Sequence, residues 1–149
     1  MRLLDLIREL NANMIYPTLN DLLQQYCNSK AFLQLNMTEL MQKLYLDQIE
    51  MPVDTGEFNK TVYKISEKGT HALERYRSHV RHIVSRLEEL YEKGDTDELY
   101  RTLEDNRDLL RFAYYKGFIT KAQLEKMAKK LEINVERIWW GDGQGETGA

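Results

Sequence analysis

The amino-acid sequence predicts a mainly α fold that carries a small two-stranded β-wing. Three observations lead to this prediction. Apolar residues recur at helical spacing through most of the 149-residue chain. The period changes to two only around residues 49–65, on either side of a glycine-containing turn. Beyond that point, an apolar seam with heptad spacing runs from Leu73 to Leu90.

Two helices are predicted at the N-terminus. The first covers residues 1–13, where leucine and isoleucine recur every three or four positions. Pro17 prevents its continuation, because the residue before a proline is driven out of the α region. Thr18, with Asp21 three positions later, has the pattern of a helix cap. A second, shorter helix is therefore expected to begin there and to end at residues 28–30.

A third helix is expected closer to the change of period. Residues 31–35 are apolar without a clear period, which predicts a turn or a short strand. Asn36 to Thr38 can cap the helix, and Leu40, Met41 and Leu44 supply an apolar face. We expect this helix to end near Gln48, so that residues 28–37 form a long connection from the second helix.

The next segment has the pattern of a β-hairpin. Apolar and polar residues alternate over residues 49–53, and residues 62–65 are rich in strand-forming types. Between them, residues 54–57 have turn chemistry, and Gly56 can adopt a positive φ. This pattern therefore predicts a hairpin of two short strands joined by a charged loop.

A long amphipathic helix should follow, capped by Ser66 and stopped by Gly94. Its apolar positions are spaced alternately by three and four residues, as in a heptad seam. The seam consists of Leu73, Tyr76, Val80, Ile83, Leu87 and Leu90. Two interpretations remain open: pairing with a second copy in a homodimer, or packing against residues 99–113 of the same chain.

A C-terminal helical pair is predicted after the long helix. Its first member runs from a cap at Asp95 to a stop at Gly117, and Thr120 with Gln123 forms the capping box of its second member. An apolar end at residues 133–140 should dock on the protein, through Ile133, Val135, Ile138, Trp139 and Trp140. Residues 141–149 are rich in glycine and are expected to be disordered.

The run from Tyr63 to Gly69, YKISEKG, resembles the end of the wing in PadR- and MarR-like regulators. In those families an aromatic-x-(Ile/Leu)-(Ser/Thr)-x-x-Gly run closes the wing and starts the next helix. The element order is also similar to that of the bacterial replication terminator protein, which has a winged helix and a C-terminal dimerising helix. The resemblance covers residues 18–93. It implies a winged helix-turn-helix domain at residues 1–65, followed by the long helix and helical pair at residues 66–140.

The resemblance implies a dimeric, sequence-specific protein that binds double-stranded DNA, with a transcriptional regulator as the expected role. The third helix would read base edges, and the wing would contact phosphates. Candidate residues on the third helix are Thr38, Gln42, Lys43 and Gln48. Candidates on and after the wing are Lys60, Lys64, Lys68, Arg75 and Arg77. Alternatively, these residues belong to a solvated surface, and Arg81 and Arg86 bond acids on a partner helix.

The amino-acid composition limits the classes of function that the chain could have. The net charge of −3 excludes a generally basic nucleic-acid-binding surface, so DNA binding would depend on local charge. This balance also favours a second hypothesis, a winged-helix adaptor that binds another protein. Cys27 is the only cysteine, which excludes an internal disulfide and a multi-thiolate metal site. The sequence contains no catalytic or cofactor-binding motif. His79 and His82 could share one helix face as metal ligands, but no cysteine or acid is placed beside them to complete a metal site. We expect a non-enzymatic cytoplasmic protein without a membrane span.

Overall fold

The structure is a computed structural model that describes residues 1–53 and 59–140. It contains α1 (Arg2–Ala12), α2 (Leu19–Gln25), α3 (Lys30–Gln42), β1 (Leu46–Pro52), β2 (Asn59–Ile65), α4 (Glu67–Lys93), α5 (Thr96–Asp105), α6 (Arg107–Lys116), α7 (Lys121–Lys130) and α8 (Glu136–Trp140). This confirms a mainly helical fold with a small antiparallel sheet. The predicted turn at residues 54–57 and the predicted disordered tail at residues 141–149 lie outside the described residues.

The chain divides into two compact units, Met1–Tyr76 and Arg77–Ala149, and the division falls inside α4. Within residues 1–53 and 59–140, none of the helices combines the length and apolar composition that a bilayer span requires. In the first unit the buried core includes Leu4, Ile7, Leu22, Leu33, Leu46, Val62 and Leu73. The second unit has its own buried core, which includes Val80, Leu87, Leu90, Leu99, Leu103, Leu110, Ile119 and Leu124.

The first two helices occur where the sequence predicts them. Thr18 forms a complete capping box with Asp21 at the start of α2. The Thr18 Oγ1 accepts a hydrogen bond from the Asp21 backbone N–H at 3.2 Å, and the Thr18 N–H donates to Asp21 Oδ2 at 2.9 Å. Because this exchange satisfies two otherwise unpaired N–H groups, the start of α2 is specified locally.

The third helix corrects the prediction at both of its ends. Residues 31–35, expected as a turn or short strand, form the first turns of α3. Ser29 caps this helix, since its Oγ accepts a hydrogen bond from the Phe32 N–H at 3.2 Å. The core-facing residues Leu33, Met37 and Leu40 do have helical spacing. Exposed Phe32 and Leu35 lie among them and obscure that period in the sequence.

At its other end α3 stops at Gln42, before the expected Gln48. Leu44 adopts a positive φ of 64°, which reverses the chain direction. Strand β1 begins at Leu46 and pairs with β2 in antiparallel register from Leu46 opposite Ile65 to Pro52 opposite Asn59. The hairpin is therefore longer than the alternating pattern predicts.

The edge of β2 that does not pair with β1 is covered by the α1–α2 connection. The Tyr63 N–H donates to the Pro17 carbonyl at 3.0 Å. The Asn11 Oδ1 accepts from the Ile65 N–H at 2.8 Å, and the Asn11 Nδ2 donates to the Tyr63 carbonyl at 3.4 Å. These bonds give partners to strand groups that would otherwise be left unpaired, and they tie the hairpin to α1.

The junction between β2 and α4 explains why serine and glycine occur in the run from Tyr63 to Gly69. The Ser66 Oγ accepts from the Gly69 N–H at 2.9 Å and donates to the Leu44 carbonyl at 2.7 Å. The Ser66 N–H also donates to the Tyr45 carbonyl at 2.9 Å. A Cβ on Gly69 would lie 2.2 Å from the oxygen of Tyr45. The serine and the glycine are thus both required to hold the start of α4 against the α3–β1 turn.

The C-terminal half departs from a simple helical pair. The segment predicted as one helix from Asp95 to Gly117 is divided at Asn106 into α5 and α6. The Asn106 Nδ2 donates to the Thr102 carbonyl at 2.8 Å, so its side chain competes for the helical backbone. The expected stop at Gly117 is confirmed by its φ of 78°, and the Thr120–Gln123 capping box is present.

Within unit 2, the side chains of α7 contact α4. The Gln123 Nε2 donates to the Glu88 carboxylate at 2.8 Å, and the Lys130 Nζ donates to the Tyr91 carbonyl at 2.6 Å. These bonds bring α7 onto the second half of α4, so this part of the long helix has a partner within its own chain.

The apolar seam of α4 is buried in the single chain. Leu73, Val80 and Leu87 are 0 % exposed and Leu90 is 2 % exposed. Only Tyr76 and Ile83 of the predicted seam are half-buried. A seam that joins two copies must face solvent in one copy, so of the two open interpretations these residues favour packing within the chain.

Candidate nucleic-acid interface

A short connection joins helices α2 and α3. The chain between them spans residues 26–29, in place of the long connection expected at residues 28–37. Helix-turn-helix motifs use turns of similar length, and α3 is the second helix of the α2–α3 pair. The hairpin of β1 and β2 follows α3 directly along the chain.

One row of α3 faces solvent. It lies opposite the buried residues Leu33, Met37 and Leu40, and its members follow one another at spacings of four, three and four. The row consists of Ala31, Leu35, Thr38 and Gln42, all exposed. Leu35 is 69 % exposed, so most of its apolar side chain faces solvent.

A cleft of about 390 Å³ lies beside this row, where α2, α3 and β2 meet. Lys30, the first residue of α3, and Lys60 of β2 both line it. Its other polar side chains include Thr18, Asn20, Gln34 and Thr61. None of the described residues that line the cleft is Asp or Glu, although the Glu50 and Asp21 carboxylates bond to its lining residues Thr61 and Thr18. Any attraction of the cleft for an anion therefore comes from the Lys30 and Lys60 side chains.

Tyr63 also lines this cleft, with its side chain almost fully buried. Burial raises the pKa of the Tyr63 phenol above its ordinary value, and the nearby Glu50 carboxylate raises it further. The phenol is therefore neutral at physiological pH, and it adds no negative charge to the cleft.

The residues predicted on the third helix separate into two groups. Thr38 and Gln42 lie on the solvent-facing row of α3. Lys43 and Gln48 do not, because Lys43 follows the helix as its C-cap and Gln48 lies on β1. The Lys43 Nζ lies 2.9 Å from the Glu39 carboxylate. Their hydrogen bond raises the pKa of Lys43 and lowers that of Glu39, which keeps both groups charged.

The two lysines predicted on the wing, Lys60 and Lys64, lie on β2 and are both exposed, but they have different neighbours. Lys64 lies opposite Asp47 in the strand register, so it has an acidic residue as its direct cross-strand neighbour. Lys60 lies opposite Met51 and lines the cleft. Lys60 is therefore the stronger phosphate-binding candidate of the two.

The basic residues of α4 lie in different surroundings. Lys68 and Arg75 are exposed in unit 1. In unit 2 the guanidinium groups of Arg77 and Arg81 stack over the ring of Phe118, at 5.7 and 4.6 Å from its centroid. Arg86 lies 3.7 Å from Glu89 of the same helix. The acids expected on a partner helix for Arg81 and Arg86 are thus replaced by an aromatic ring and an intrahelical carboxylate.

The N-terminal half of α3 does not follow from the sequence pattern. Lys30, Ala31, Gln34 and Leu35 were assigned to a helix break or to a short strand. The signal that could have located them is Ser29, whose side chain caps the helix. Ser29 was interpreted as part of a break because asparagine precedes it and no regular apolar period follows it.

Nothing in the described residues indicates a metal centre. Residues 1–53 and 59–140 contain no group of three or more His, Cys, Asp or Glu side chains that could hold a metal ion. His79 and His82 are exposed on α4. Cys27 is half-buried, and its Sγ lies 3.4 Å from the Ser29 carbonyl, in the turn before α3.

Comparison with protein-family models, curated proteins and solved structures yields no match to this chain. The likeness to winged-helix regulators therefore depends on the run from Tyr63 to Gly69 and on the order of the elements. The candidate interface depends on the position of α3 and on the cleft that α3 shares with β2.

Proposed function

We propose that this chain is a non-enzymatic, sequence-specific double-stranded DNA-binding protein with a winged helix-turn-helix scaffold, acting as a transcriptional regulator. The order of α1, α2, α3 and the hairpin supports this proposal, as does the short turn before α3. In this mechanism α3 enters the major groove, and the hairpin lies along the sugar-phosphate backbone. The α4 seam has no part in the proposal, because its leucines and Val80 pack inside the chain.

The observation that carries the proposal is that Lys30 and Lys60 line one cleft, and that no Asp or Glu among the described residues lines it with them. Lys30 belongs to α3 and Lys60 to β2, so one anionic group in the cleft could contact both elements. A phosphate held there would place the start of α3 beside the groove. Phosphate contacts of this kind supply much of the affinity for DNA and set the register of the protein on the duplex.

The test compares two double variants of the full chain. In Lys30→Gln, Lys60→Gln the cleft loses its two positive charges. The control Lys126→Gln, Lys129→Gln removes the same charge from exposed positions on α7. Both variants are titrated with a fluorescent mixed-sequence duplex at several salt concentrations, and anisotropy gives the binding constant.

For the wild type we expect binding at low salt that weakens as salt increases. The cleft variant should reduce the slope of log K against log salt by about one, since the two lysines share one phosphate and each neutralised phosphate contributes about one. The control should retain the wild-type slope. Equal losses in both variants, or binding that neither variant changes, would contradict the proposed role of the cleft.

A second candidate function is a protein-binding adaptor, and one observation favours it. Phe32 is 51 % exposed beside Leu35 on α3, and its ring stacks on that of Tyr26 at a centroid distance of 6.2 Å. Exposed apolar side chains that lie together are typical of a protein interface. Absence of duplex binding by the wild type at low salt would select this function over DNA binding.

A further inference from the structure

The base-reading part of α3 has an unusual composition for a groove-reading helix. Residues near the N-terminus of a recognition helix reach base edges, and here the exposed side chains of that part are Lys30, Ala31, Phe32, Gln34, Leu35 and Thr38. None of them is an arginine. The sequence of α3 thus restricts which bases the helix could recognise.

Guanine is read most often by arginine or lysine, which donate to its O6 and N7 atoms. Lys30 is the only basic residue in the first half of α3, and it lines the cleft with Lys60, where a phosphate is expected. Lys43 lies at the far end of the helix, 2.9 Å from Glu39. The Glu39 carboxylate could accept from cytosine, but it already accepts the hydrogen bond of Lys43. The helix therefore lacks a well-placed reader of G·C pairs.

The solvent-facing row instead offers apolar groups. Ala31, Leu35 and the methyl group of Thr38 lie along one line of α3. Leu35 is 69 % exposed, so its side chain has most of its apolar surface in water in the single chain. On the major-groove edge of a base pair, the thymine methyl is the apolar group that such side chains contact. Burial of Leu35 against a thymine would remove apolar surface of both groups from water.

Gln34 supplies the complementary polar contact. Its amide both donates and accepts, which matches the N6 amino group and the N7 atom of adenine. It lies on the flank of α3 that borders the cleft, beside the expected phosphate contact of Lys30. A phosphate bound there would therefore hold Gln34 near a base edge.

We propose that α3 selects A·T base pairs, with Ala31, Leu35 and Thr38 against thymine methyl groups and Gln34 on an adenine. This inference rests on the proposed function and adds the class of target sequence. Loss of one thymine methyl should weaken binding about fourfold, from about 0.8 kcal/mol per buried methylene-sized group. Replacement of the adenine contacted by Gln34 should cost between about 5-fold and 150-fold.

The experiment begins with selection of bound duplexes from a randomised pool by the full-length chain. Thymines in the enriched core are then replaced one at a time by uracil, which removes the methyl group and retains base pairing. Binding is measured for the wild type, for Leu35→Ala and for the control Leu44→Ala. Leu44 is a similarly exposed leucine in the α3–β1 turn, off the solvent-facing row. Circular dichroism verifies that each variant is folded.

We expect an enriched core of A·T pairs in which at least one thymine is sensitive to replacement by uracil. Leu35→Ala should abolish that sensitivity, and Leu44→Ala should retain it. A core of G·C pairs, binding without enrichment, or indifference to uracil would overturn the inference while DNA binding itself stands. Failure of every duplex to bind would overturn both the inference and the proposed function.

Discussion

Replacement of Gly69 by alanine tests the junction between β2 and α4, because two physical effects predict opposite signs. Gly69 lies in the first turn of α4, and alanine is favoured over glycine in a helix by about 1 kcal/mol. From helix propensity alone, Gly69→Ala should stabilise the protein. The tertiary structure predicts the reverse, since the new Cβ would lie 2.2 Å from the Tyr45 carbonyl oxygen and 3.0 Å from Ile65 Cγ1.

The size of the effect follows from what must move. The Tyr45 oxygen belongs to the backbone and accepts the Ser66 N–H at 2.9 Å, so it cannot yield as a flexible side chain would. An overpacked site of this kind typically costs about 1–3 kcal/mol. Weakening of the Ser66 hydrogen bond adds about 1 kcal/mol, which offsets the gain in helix propensity. We therefore expect Gly69→Ala to lower the free energy of unfolding by about 1–3 kcal/mol.

Urea unfolding followed by circular dichroism measures this change. The control is His71→Ala, an exposed position two residues further along α4, where propensity acts without a clash. We expect the control to be neutral or slightly stabilising, within about 0.5 kcal/mol. If Gly69→Ala proved as stable as the control or more stable, the close approach to Tyr45 would be refuted as the reason for glycine at this position.

Three further substitutions test other parts of the structure by the same urea assay. Asn11→Ala removes the acceptor of the Ile65 N–H and should cost about 1–3 kcal/mol, whereas a neutral result would mean that water replaces the amide. Val80→Asp places a carboxylate at a fully buried position and should cost about 3 kcal/mol or more. A Val80→Asp chain that stays folded and only loses mass in light scattering would instead restore the seam as a dimer contact. Thr120→Ala removes the cap whose Oγ1 accepts the Gln123 N–H and should lower the free energy of unfolding by about 1 kcal/mol. An unchanged free energy of unfolding would mean that this capping box contributes little to stability.

Helix α3 shows what could not be predicted from the sequence, namely which of its apolar residues are buried. Its apolar residues fall into two sets: Leu33, Met37 and Leu40 are buried, whereas Phe32 and Leu35 are exposed. In the sequence these two sets overlap, so no helical period stands out. Only the packing of α3 on the rest of unit 1 separates them, because burial depends on which side of the helix meets other elements.

The candidate site was predicted in part for the same reason. Lys60 could be predicted from the sequence, because its neighbours in the chain show a hairpin pattern and place a basic residue on it. Its counterpart Lys30 was missed, since its importance depends on the cleft that α3 and β2 form together. Lys43 was expected on the third helix, but the structure places it after that helix as its C-cap, beside Glu39.

Features that depend on only three or four neighbouring residues could be predicted from the amino-acid sequence alone. These include the caps at Thr18, Ser66 and Thr120 and the helix stops at Gly94 and Gly117, because a cap or a positive φ is a local property of the chain. The tertiary structure decided the features that need distant partners. It showed that the α4 seam is buried within one chain and brought Lys30 together with Lys60. The physical reason is that burial, electrostatic convergence and close approach arise only when separate segments pack against each other.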